Sequence, residues 1–254
     1  MKFPIECPVK IVMLGAGGTG GHIAPHLYRL LYSLGRQARF IICDGDIIEP
    51  KNLVRQNFSP ADLGANKARV LAERYASVFG MEAEYVSSFV EDIDALMNLI
   101  TPDYWAGDSR GWHKTKGMVI LIGAVDNNKS RQLCHEAFYK SEDLIYIDSG
   151  NGEFSGQIVC GVRRNGHTFF KPIGGVYPEL LKDSTDKFPS ELSCAEAAQS
   201  APQSIAANIT AATAVVDIVY NILANGENSV RQAEFSTKSV RMQTVSEKQR
   251  NKVK

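Results

Sequence analysis

The sequence predicts an α/β fold with a mostly parallel sheet covered by helices on both faces. Three observations support this prediction. Apolar runs typical of strands alternate with segments of helical periodicity through the first half of the chain. A glycine-rich turn follows the first run, and acidic residues follow three later runs. We therefore expect a Rossmann-like, doubly wound sheet, with antiparallel edge strands added in the C-terminal half.

The predicted elements of the first half follow from these periodicities. They are strands at 10–14, 38–43, 82–86 and 118–124, with helices at 19–34, 65–79, 91–99 and 128–140. Residues 47–63 contain Pro50 and Pro60 and are expected to form an ordered loop or short helical turns. Residues 101–117, rich in glycine and polar groups, are predicted to be an inserted surface loop, with partner binding as the alternative.

The second half is predicted to contain fewer elements and one long connection. A strand at 144–147, a hairpin at 156–162 and 167–170, a helix at 206–223 and a strand at 231–236 are expected. Residues 171–203 have little periodicity and are predicted to form a long crossing loop, of a length that is usually either functional or disordered. The prediction is one domain over 1–236, followed by a basic, flexible tail at 237–254.

Composition excludes several classes of protein. Of 254 residues, 28 are Lys or Arg and 28 are Asp or Glu, so a zero net charge argues against a general nucleic-acid binder. The five cysteines include no C-x-x-C pair, so no zinc site is expected, and reduced thiols suit a cytoplasmic protein. No apolar run is long enough to predict a transmembrane helix.

The glycine-rich turn at 15–20 joins the first strand to the first helix. Gly15 permits a tight turn, and Gly17 and Gly18 leave room for backbone N–H groups to approach a phosphate. Gly20 allows the helix to pack closely on the strand. The positive end of the helix then faces the anion. This pattern predicts a nucleotide site without identifying the nucleotide.

Acidic residues end three of the predicted strands: Asp44 with Asp46, then Asp126, then Asp148. The carboxyl ends of parallel strands share one edge of a sheet, so these side chains are expected beside the glycine turn. Asp44 is placed to accept hydrogen bonds from ribose hydroxyls, and Asp126 to hold Mg²⁺ beside phosphates. Each acid alone is also compatible with an ordinary turn residue.

The loop after the second strand carries more polar groups than a dinucleotide site needs. It contains Asn52, Arg55 and Gln56, and Lys67 follows at the start of the next helix. Arg55 and Lys67 would bring two cations to the phosphates. Positive charge there stabilises the charge that builds up when an oxygen attacks a phosphoryl group. A hydride-transfer enzyme has no evident use for these groups.

With these residues the sequence resembles the ThiF/MoeB/ubiquitin-activating family of adenylyltransferases, especially its compact bacterial members, including the PRTRC type of plasmid gene clusters. The family pattern is G-x-G-G-x-G, then D-x-D-x-(V/I)-x-x-x-N-L-x-R-Q, a lysine a dozen residues later, and a D-N pair. The matching positions are Gly15, Gly17, Gly18, Gly20, Asp44, Asp46, Asn52, Arg55, Gln56, Lys67 and Asp126. The late helix at 206–223 extends the resemblance to most of the chain.

The resemblance implies a role for each matching residue. The glycines would face the phosphates of ATP. Asp44 and Asp46 would belong to the nucleotide site, and Gln56 would support the loop. Asn52, Arg55 and Lys67 would contact the phosphates, and Asp126 would position Mg²⁺. The implied reaction is ATP-dependent adenylation of the C-terminal carboxylate of a small ubiquitin-like or sulfur-carrier protein, catalysed by a homodimer. No protein nucleophile is required for this step.

Some relatives pass the activated acyl group to a cysteine in the crossing loop, and Cys194 lies in that region. A thiol near a helix N-terminus would have a lowered pKa, which makes Cys194 a candidate acceptor. The alternative is an ordinary loop or core cysteine. Relatives also commonly donate an N-terminal arginine to the partner subunit, and no arginine precedes the first strand here. Arg110 or the basic tail is the candidate replacement.

Three other functions remain open on sequence grounds. The chain could be a nucleotide-binding scaffold without activity. The missing N-terminal arginine supports this alternative. It could adenylate another carboxylate, such as a peptide C-terminus, or act on a tRNA-linked adenine. A nicotinamide-dependent oxidoreductase would bind NAD(H) without needing magnesium.

Overall fold

A computed structural model describes residues 1–108, 111–183, 186–191 and 202–245 of the chain. Its central feature is a nine-stranded sheet. The strands are β1 (Val9–Leu14), β2 (Ala38–Cys43), β3 (Glu84–Val86), β4 (Asp103–Asp108), β5 (Gly111–Lys116), β6 (Met118–Gly123), β7 (Leu144–Asn151), β8 (Ser155–Arg164), β9 (His167–Phe170), β10 (Gln232–Ser236) and β11 (Arg241–Thr244). All except β4 and β5 belong to the large sheet.

The helices connect these strands and cover the sheet. They are α1 (Gly18–Leu34), α2 (Lys67–Phe79), α3 (Ile93–Leu99), α4 (Asn128–Lys140), α5 (Ile173–Val176) and α6 (Ile205–Leu223). Short 3₁₀ turns occupy Pro50–Val54, Pro60–Asp62, Pro178–Leu181 and Pro189–Glu191. Asn66, Asp92, Asn127 and Ser204 cap α2, α3, α4 and α6 by accepting a backbone N–H, which explains where these helices begin.

The strand order is β11-β10-β8-β7-β6-β1-β2-β3, with β9 paired to β8. The five strands from β7 to β3 are parallel, whereas β8 to β11 pair in antiparallel fashion. The chain leaves β1 toward β2 on one side and later returns to pair β6 on the other. The order of the strands therefore reverses at β1, which is where open α/β sheets bind ligands. This confirms the predicted fold class.

Both faces of the sheet are buried. Val9, Ile11 and Met13 face a core that α1, α2 and α6 cover, while Val12 and Leu14 face a second core under α3, α4 and α5. Every residue of β1 is buried, as expected for the central strand of a sheet with helices on both sides.

Among the described residues, α6 alone is long and apolar enough to cross a membrane by length and composition. Half of it is buried inside the protein. Its buried side packs on α1, β7 and β8, which is the position of a core helix. The sequence contains no unbroken apolar run of such length because threonine, asparagine and aspartate interrupt this helix.

The structure differs from the sequence-based prediction in four segments. The predicted loop at 101–117 contains the hairpin β4–β5, because strands with polar and glycine residues lack the apolar alternation that identifies a strand. The predicted tail begins later than 237, since β11 pairs with β10. The crossing loop contains α5 and two 3₁₀ turns in its described part. The predicted strand at 144–147 continues to Asn151, where Asp148 and Ser149 remain buried.

Candidate active site

The glycine turn at the carboxyl end of β1 is closely packed. Gly15 has a φ of +95°, and a Cβ there would lie 2.4 Å from the carbonyl oxygen of Ala124 in the loop after β6. A Cβ on Gly20 would lie 2.0 Å from the carbonyl oxygen of Gly15. Both glycines are therefore required by the backbone itself, which brings the start of α1 against the turn and the β6 loop.

The two middle glycines have different surroundings. Among the described residues, a Cβ at Gly17 would meet only the Nε2 atom of Gln56, at 3.8 Å, so these residues leave space for a ligand beside the turn. At Gly18 a Cβ would lie 2.5 Å from Nη1 of Arg55 and 2.4 Å from Oδ1 of Asn208. Gly18 thus makes room for an arginine and an amide at the start of α1.

Asp44 follows β2 and is buried beside the turn. Its Oδ2 accepts the backbone N–H of Ala16 at 2.6 Å, and its Oδ1 accepts that of Asp46 at 2.8 Å. Burial raises the pKa of Asp44 to about 6, although Lys67 and the two backbone N–H groups oppose the increase. Each carboxylate oxygen has a second lone pair for a hydroxyl group of a ligand.

Lys67 is buried at the first position of α2, and its Nζ lies 2.7 Å from Oδ2 of Asp46. The Lys67 side chain is 6% exposed and that of Asp46 is 53% exposed. The buried cation is therefore held by a carboxylate that is itself in contact with solvent. Both residues lie near Asp44 and influence its pKa.

Asn52 is buried in the 3₁₀ turn Pro50–Val54 and shapes the loop that carries Arg55. Its Oδ1 accepts the backbone N–H of Glu49 at 2.8 Å, which closes a capping box at the start of the turn. The Nδ2 group of Asn52 is not used in this cap. A phosphate contact by Asn52 would therefore come from Nδ2.

Arg55 is half-buried and lies against the glycine turn. Its Nη1 donates to Oε1 of Gln203 at 2.8 Å and to Oδ1 of Asn208 at 3.4 Å. Burial lowers the pKa of Arg55, and the nearby charge of Asp126 acts in the opposite direction. Arginine stays charged under such shifts, so a cation faces the turn.

Sequence reasoning missed Gln203, Asn208, Thr19 and Asn151, which surround Arg55 and Gly18. Asn208 is fully buried, and its Nδ2 donates to Thr19 Oγ1 at 3.3 Å and to Gln203 Oε1 at 3.1 Å. Thr19 in turn donates to Oδ1 of Asn151 at 2.9 Å. One signal was present: an asparagine amid the small, apolar residues of α6 is a polar group that must be satisfied when buried.

Gln56 is buried near Gly17. Its Oε1 has no hydrogen-bond partner within the described part of the chain. A buried polar atom of this kind costs free energy unless a ligand or water pairs with it. Together with the open space at Gly17, this observation fits a cavity built to hold a polar ligand such as a nucleotide.

Asp126 lies in the loop after β6 and is exposed. Its carboxylate has no hydrogen-bond or ion-pair partner among the residues that the structure describes. A cation bound here would need other ligands, because no group of three or more His, Cys, Asp or Glu side chains in the described ranges is arranged to hold a metal. Asp126 fits a Mg²⁺ ion that takes its remaining ligands from phosphates and water.

The third strand-end acid, Asp148, is not part of the open site. It is 0% exposed, accepts from Tyr146 Oη at 2.7 Å, and lies 3.3 Å from Nε of Arg131. Burial raises the pKa of Asp148, and Arg131 opposes this. Nη2 of Arg131 also donates to the carbonyl oxygen of Val125 at 2.7 Å, so this buried pair supports the loop that presents Asp126.

The described part of the crossing loop is anchored on the N-terminus of α4. Asp186 accepts the backbone N–H groups of Asn128 and Lys129, and Asp183 accepts from the Asn128 side chain at 3.0 Å. Carboxylates are favoured at this end of a helix. Cys194 and Arg110 lie outside the described residues. Three further cysteines, Cys43, Cys134 and Cys160, are buried.

These features define a class of protein. The sequence pattern of the ThiF family matches residues 8–254, and the chain belongs to the ThiF family. Among individual proteins, it is 28% identical over 124 residues to "Ubiquitin-activating enzyme E1 2" of Arabidopsis thaliana. That alignment covers 48% of this chain and 10% of the plant enzyme.

Solved structures share the fold over nearly the whole chain. PaaA is similar with a TM-score of 0.61 and 17% identity, covering 92% of this chain and 62% of that one. MccB of E. coli with ATP is similar with a TM-score of 0.58 and 18% identity, covering 93% and 62%. MccB in complex with N-formylated MccA gives a TM-score of 0.62 and 18% identity, covering 93% and 64%. The chain thus spans less than two thirds of each of these structures.

Proposed function

We propose that this protein uses ATP and Mg²⁺ to adenylate the C-terminal carboxylate of a small ubiquitin-like or sulfur-carrier protein. The observation that carries the proposal is the meeting of Arg55, Lys67 and Asp126 around a glycine turn with open space at Gly17. Membership of the ThiF family supports it, as does the fold shared with MccB structures that contain ATP or the peptide MccA.

The proposed chemistry uses the site in a defined order. The ribose hydroxyls of ATP donate to Asp44, and the phosphates lie against the glycine turn at the N-terminus of α1. A carboxylate oxygen of the carrier attacks the α-phosphorus, the bond between the α-phosphorus and the bridging oxygen breaks, and pyrophosphate leaves. Arg55 and Lys67 stabilise the charge that builds on the phosphoryl oxygens. Bound Mg²⁺ supplies further charge neutralisation beside Asp126.

A second step on Cys194 is part of the proposal and rests on the sequence alone. The thiolate would attack the acyl carbon, forming a thioester and releasing AMP. A protein adduct that forms with ATP and carrier, and that thiol reagents remove, is expected for the wild type and not for Cys194→Ala. An adduct that persists in the variant would exclude Cys194 as the acceptor.

We further propose that the protein is a homodimer. Val54, Ile205 and Ile209 are large apolar residues that are 80%, 50% and 45% exposed. Ile205 and Ile209 are one helical turn apart on α6, and Val54 precedes Arg55, whose side chain reaches Gln203 and Asn208 at the start of that helix. Apolar residues grouped on a surface are typical of an interface. Light scattering should give twice the chain mass, and Ile209→Glu should give the monomer.

The adenylation step is tested by ATP–pyrophosphate exchange with Mg²⁺ and candidate carriers. We expect exchange that depends on a free carrier C-terminus. Arg55→Ala and Lys67→Met should each lower the rate about 10²- to 10³-fold, because each removes a charge from the transition state. Lys51→Met is the control, since within the described part of the chain Lys51 forms an exposed ion pair with Glu49. ATP binding without exchange would favour the scaffold, and exchange with a short peptide alone would favour a peptide substrate.

A further inference from the structure

We propose that Asn208 and Gln203, two amides at the start of α6, position the Arg55 guanidinium at the phosphate side of the glycine turn. They are positioning residues, since they act through Arg55. The inference rests on the proposed role of Arg55 toward ATP. It adds to the site two residues from the C-terminal half of the chain, 148 and 153 positions away from Arg55.

The first argument is that Arg55 needs an external support. It follows a 3₁₀ turn in a loop, and a long arginine side chain loses about 2 kcal/mol of rotamer entropy when it is fixed. Among the described residues, the side-chain hydrogen bonds of Arg55 go to Gln203 and Asn208 alone. A guanidinium that is already fixed before ATP binds loses less entropy in the complex.

The second argument is that the support is itself rigid. The Asn208 amide is 0% exposed and uses both ends: Oδ1 accepts from Arg55, while Nδ2 donates to Thr19 and Gln203. Thr19 continues the chain of hydrogen bonds to Asn151 at the end of β7. Asn208 therefore connects α6, α1 and the sheet edge in one arrangement, and this fixes which end of the amide faces Arg55.

The third argument comes from Gly18. A Cβ at this position would lie within 2.6 Å of both Asn208 and Arg55. The glycine therefore allows the amide and the guanidinium to meet directly on the backbone of the turn. The sequence suggested that Gly18 makes room for phosphate, and the structure shows that it also makes room for the group that would bind phosphate.

The fourth argument is electrostatic. A carboxylate at either amide position would hold Arg55 more strongly but would neutralise its charge. Neutral amide oxygens orient the guanidinium and leave its positive charge available to the phosphates. Neutral amide partners are therefore expected for an arginine that stabilises an anion.

The test measures binding, so it does not depend on turnover. The dissociation constants of ATP and of adenosine are compared by titration calorimetry for wild type, Asn208→Leu, Gln203→Leu, Arg55→Ala and the double variant Arg55→Ala/Asn208→Leu. We expect Asn208→Leu to weaken ATP binding about 10- to 20-fold, the lower end of the range for one hydrogen bond to a charged group, and adenosine binding less than twofold. In the double variant, ATP should bind as in Arg55→Ala, since the amide acts only through the arginine.

Two controls separate positioning from general damage. Asn221→Leu makes the same substitution at the far end of α6, where the amide pairs with Asn225 on the surface, and should leave ATP binding unchanged. Gln203 is only half-buried, so Gln203→Leu keeps the test available if Asn208→Leu does not fold. Equal weakening of ATP and adenosine, or a loss in the double variant that exceeds that of Arg55→Ala, would overturn the inference.

The same data distinguish this inference from the proposed function. If pyrophosphate exchange occurs but the losses of ATP affinity in Arg55→Ala and Asn208→Leu add up in the double variant, adenylation is supported and the positioning role is excluded. The expected binding pattern without exchange for any carrier would keep the positioning role and remove adenylation. A wild-type protein that does not bind ATP would remove both.

Discussion

At the residue scale, Asp44 shows how burial and function are linked. Its carboxyl group is enclosed next to the glycine turn and receives two backbone N–H groups, which are expected to orient it toward a ribose. Burial nevertheless raises its pKa to about 6, so the charge is present at neutral pH and lost in mildly acidic solution. Ribose hydroxyls bind a carboxylate more strongly than a protonated carboxyl group.

This gives a prediction for pH dependence. Adenosine should bind more tightly as the pH rises from 5 and should reach constant affinity above about 7, because Asp44, with a pKa of about 6, loses its proton over this range. Adenosine is preferred to ATP because it has no phosphate that titrates nearby. Calorimetric titrations at several pH values provide the measurement. Asp44→Asn should bind adenosine weakly and with the same affinity at every pH. If the variant keeps the pH dependence of the wild type, another group is responsible for it.

Gly20 provides the second residue-scale prediction. Helix propensity alone predicts that Gly20→Ala in α1 stabilises the protein by about 1 kcal/mol. The Cβ would lie 2.0 Å from the Gly15 carbonyl oxygen, so we expect the opposite sign, a loss of about 1–3 kcal/mol in the free energy of unfolding. Urea denaturation measures it. Gly152→Ala is the control, since no described residue lies within 4 Å of a Cβ built at this position.

At the element scale, the buried pair Arg131–Asp148 joins α4 to β7 underneath the Asp126 loop. Asp148 was identified in the sequence as one of three strand-end acids. Its position differs from that of Asp44 and Asp126, because β7 runs three residues beyond it and Arg131 and Tyr146 close over it. Asp148 therefore has a structural role: through Arg131 it stabilises the loop that carries Asp126.

Removing one member of this pair should be strongly destabilising. Arg131→Met leaves the Asp148 charge buried without its partner, so we expect a loss of about 3–5 kcal/mol in the free energy of unfolding, measured with urea. Arg131→Met/Asp148→Asn should recover part of the loss, because no buried charge remains. Lys140→Met on the same helix should change less than about 0.5 kcal/mol, since its pair with Glu136 is exposed. Equal losses in all three variants would contradict this account.

At the scale of the whole molecule, the site forms where distant parts of the chain meet. The turn after β1, the loop after β2, the loop after β6 and the start of α6 converge at the point where the strand order reverses. A ligand that binds all four should stabilise the entire fold by mass action.

Thermal unfolding tests this and identifies the class of nucleotide. ATP with Mg²⁺ at 100 times its dissociation constant should stabilise the protein by about 2.7 kcal/mol and raise its Tm by a few degrees. NAD should give no shift at the same concentration, because Arg55 and Lys67 suit a polyphosphate. A shift with NAD that ATP does not reproduce would favour the oxidoreductase alternative.

The sequence predicted the parts of the molecule that local rules control. The strand–glycine–helix unit could be recognised because Gly15 and Gly20 are required by the backbone geometry of a few neighbouring residues. The residues of the Asp44-to-Lys67 segment could be recognised by their type and spacing. The hairpin β4–β5 and the strand β11 could not, because their stability comes from pairing with a neighbouring strand rather than from an apolar pattern of their own.

The sequence by itself therefore determined the fold class, the family and the residue types that surround the nucleotide turn. Only the tertiary structure decided which of these groups meet and in what state of burial. It separated the exposed Asp126 from the buried Asp148, and it brought Asn208 and Gln203 to Arg55. The physical reason is that periodicity and turn chemistry act within a few residues, whereas burial, pKa and side-chain orientation depend on contacts between segments distant in the chain.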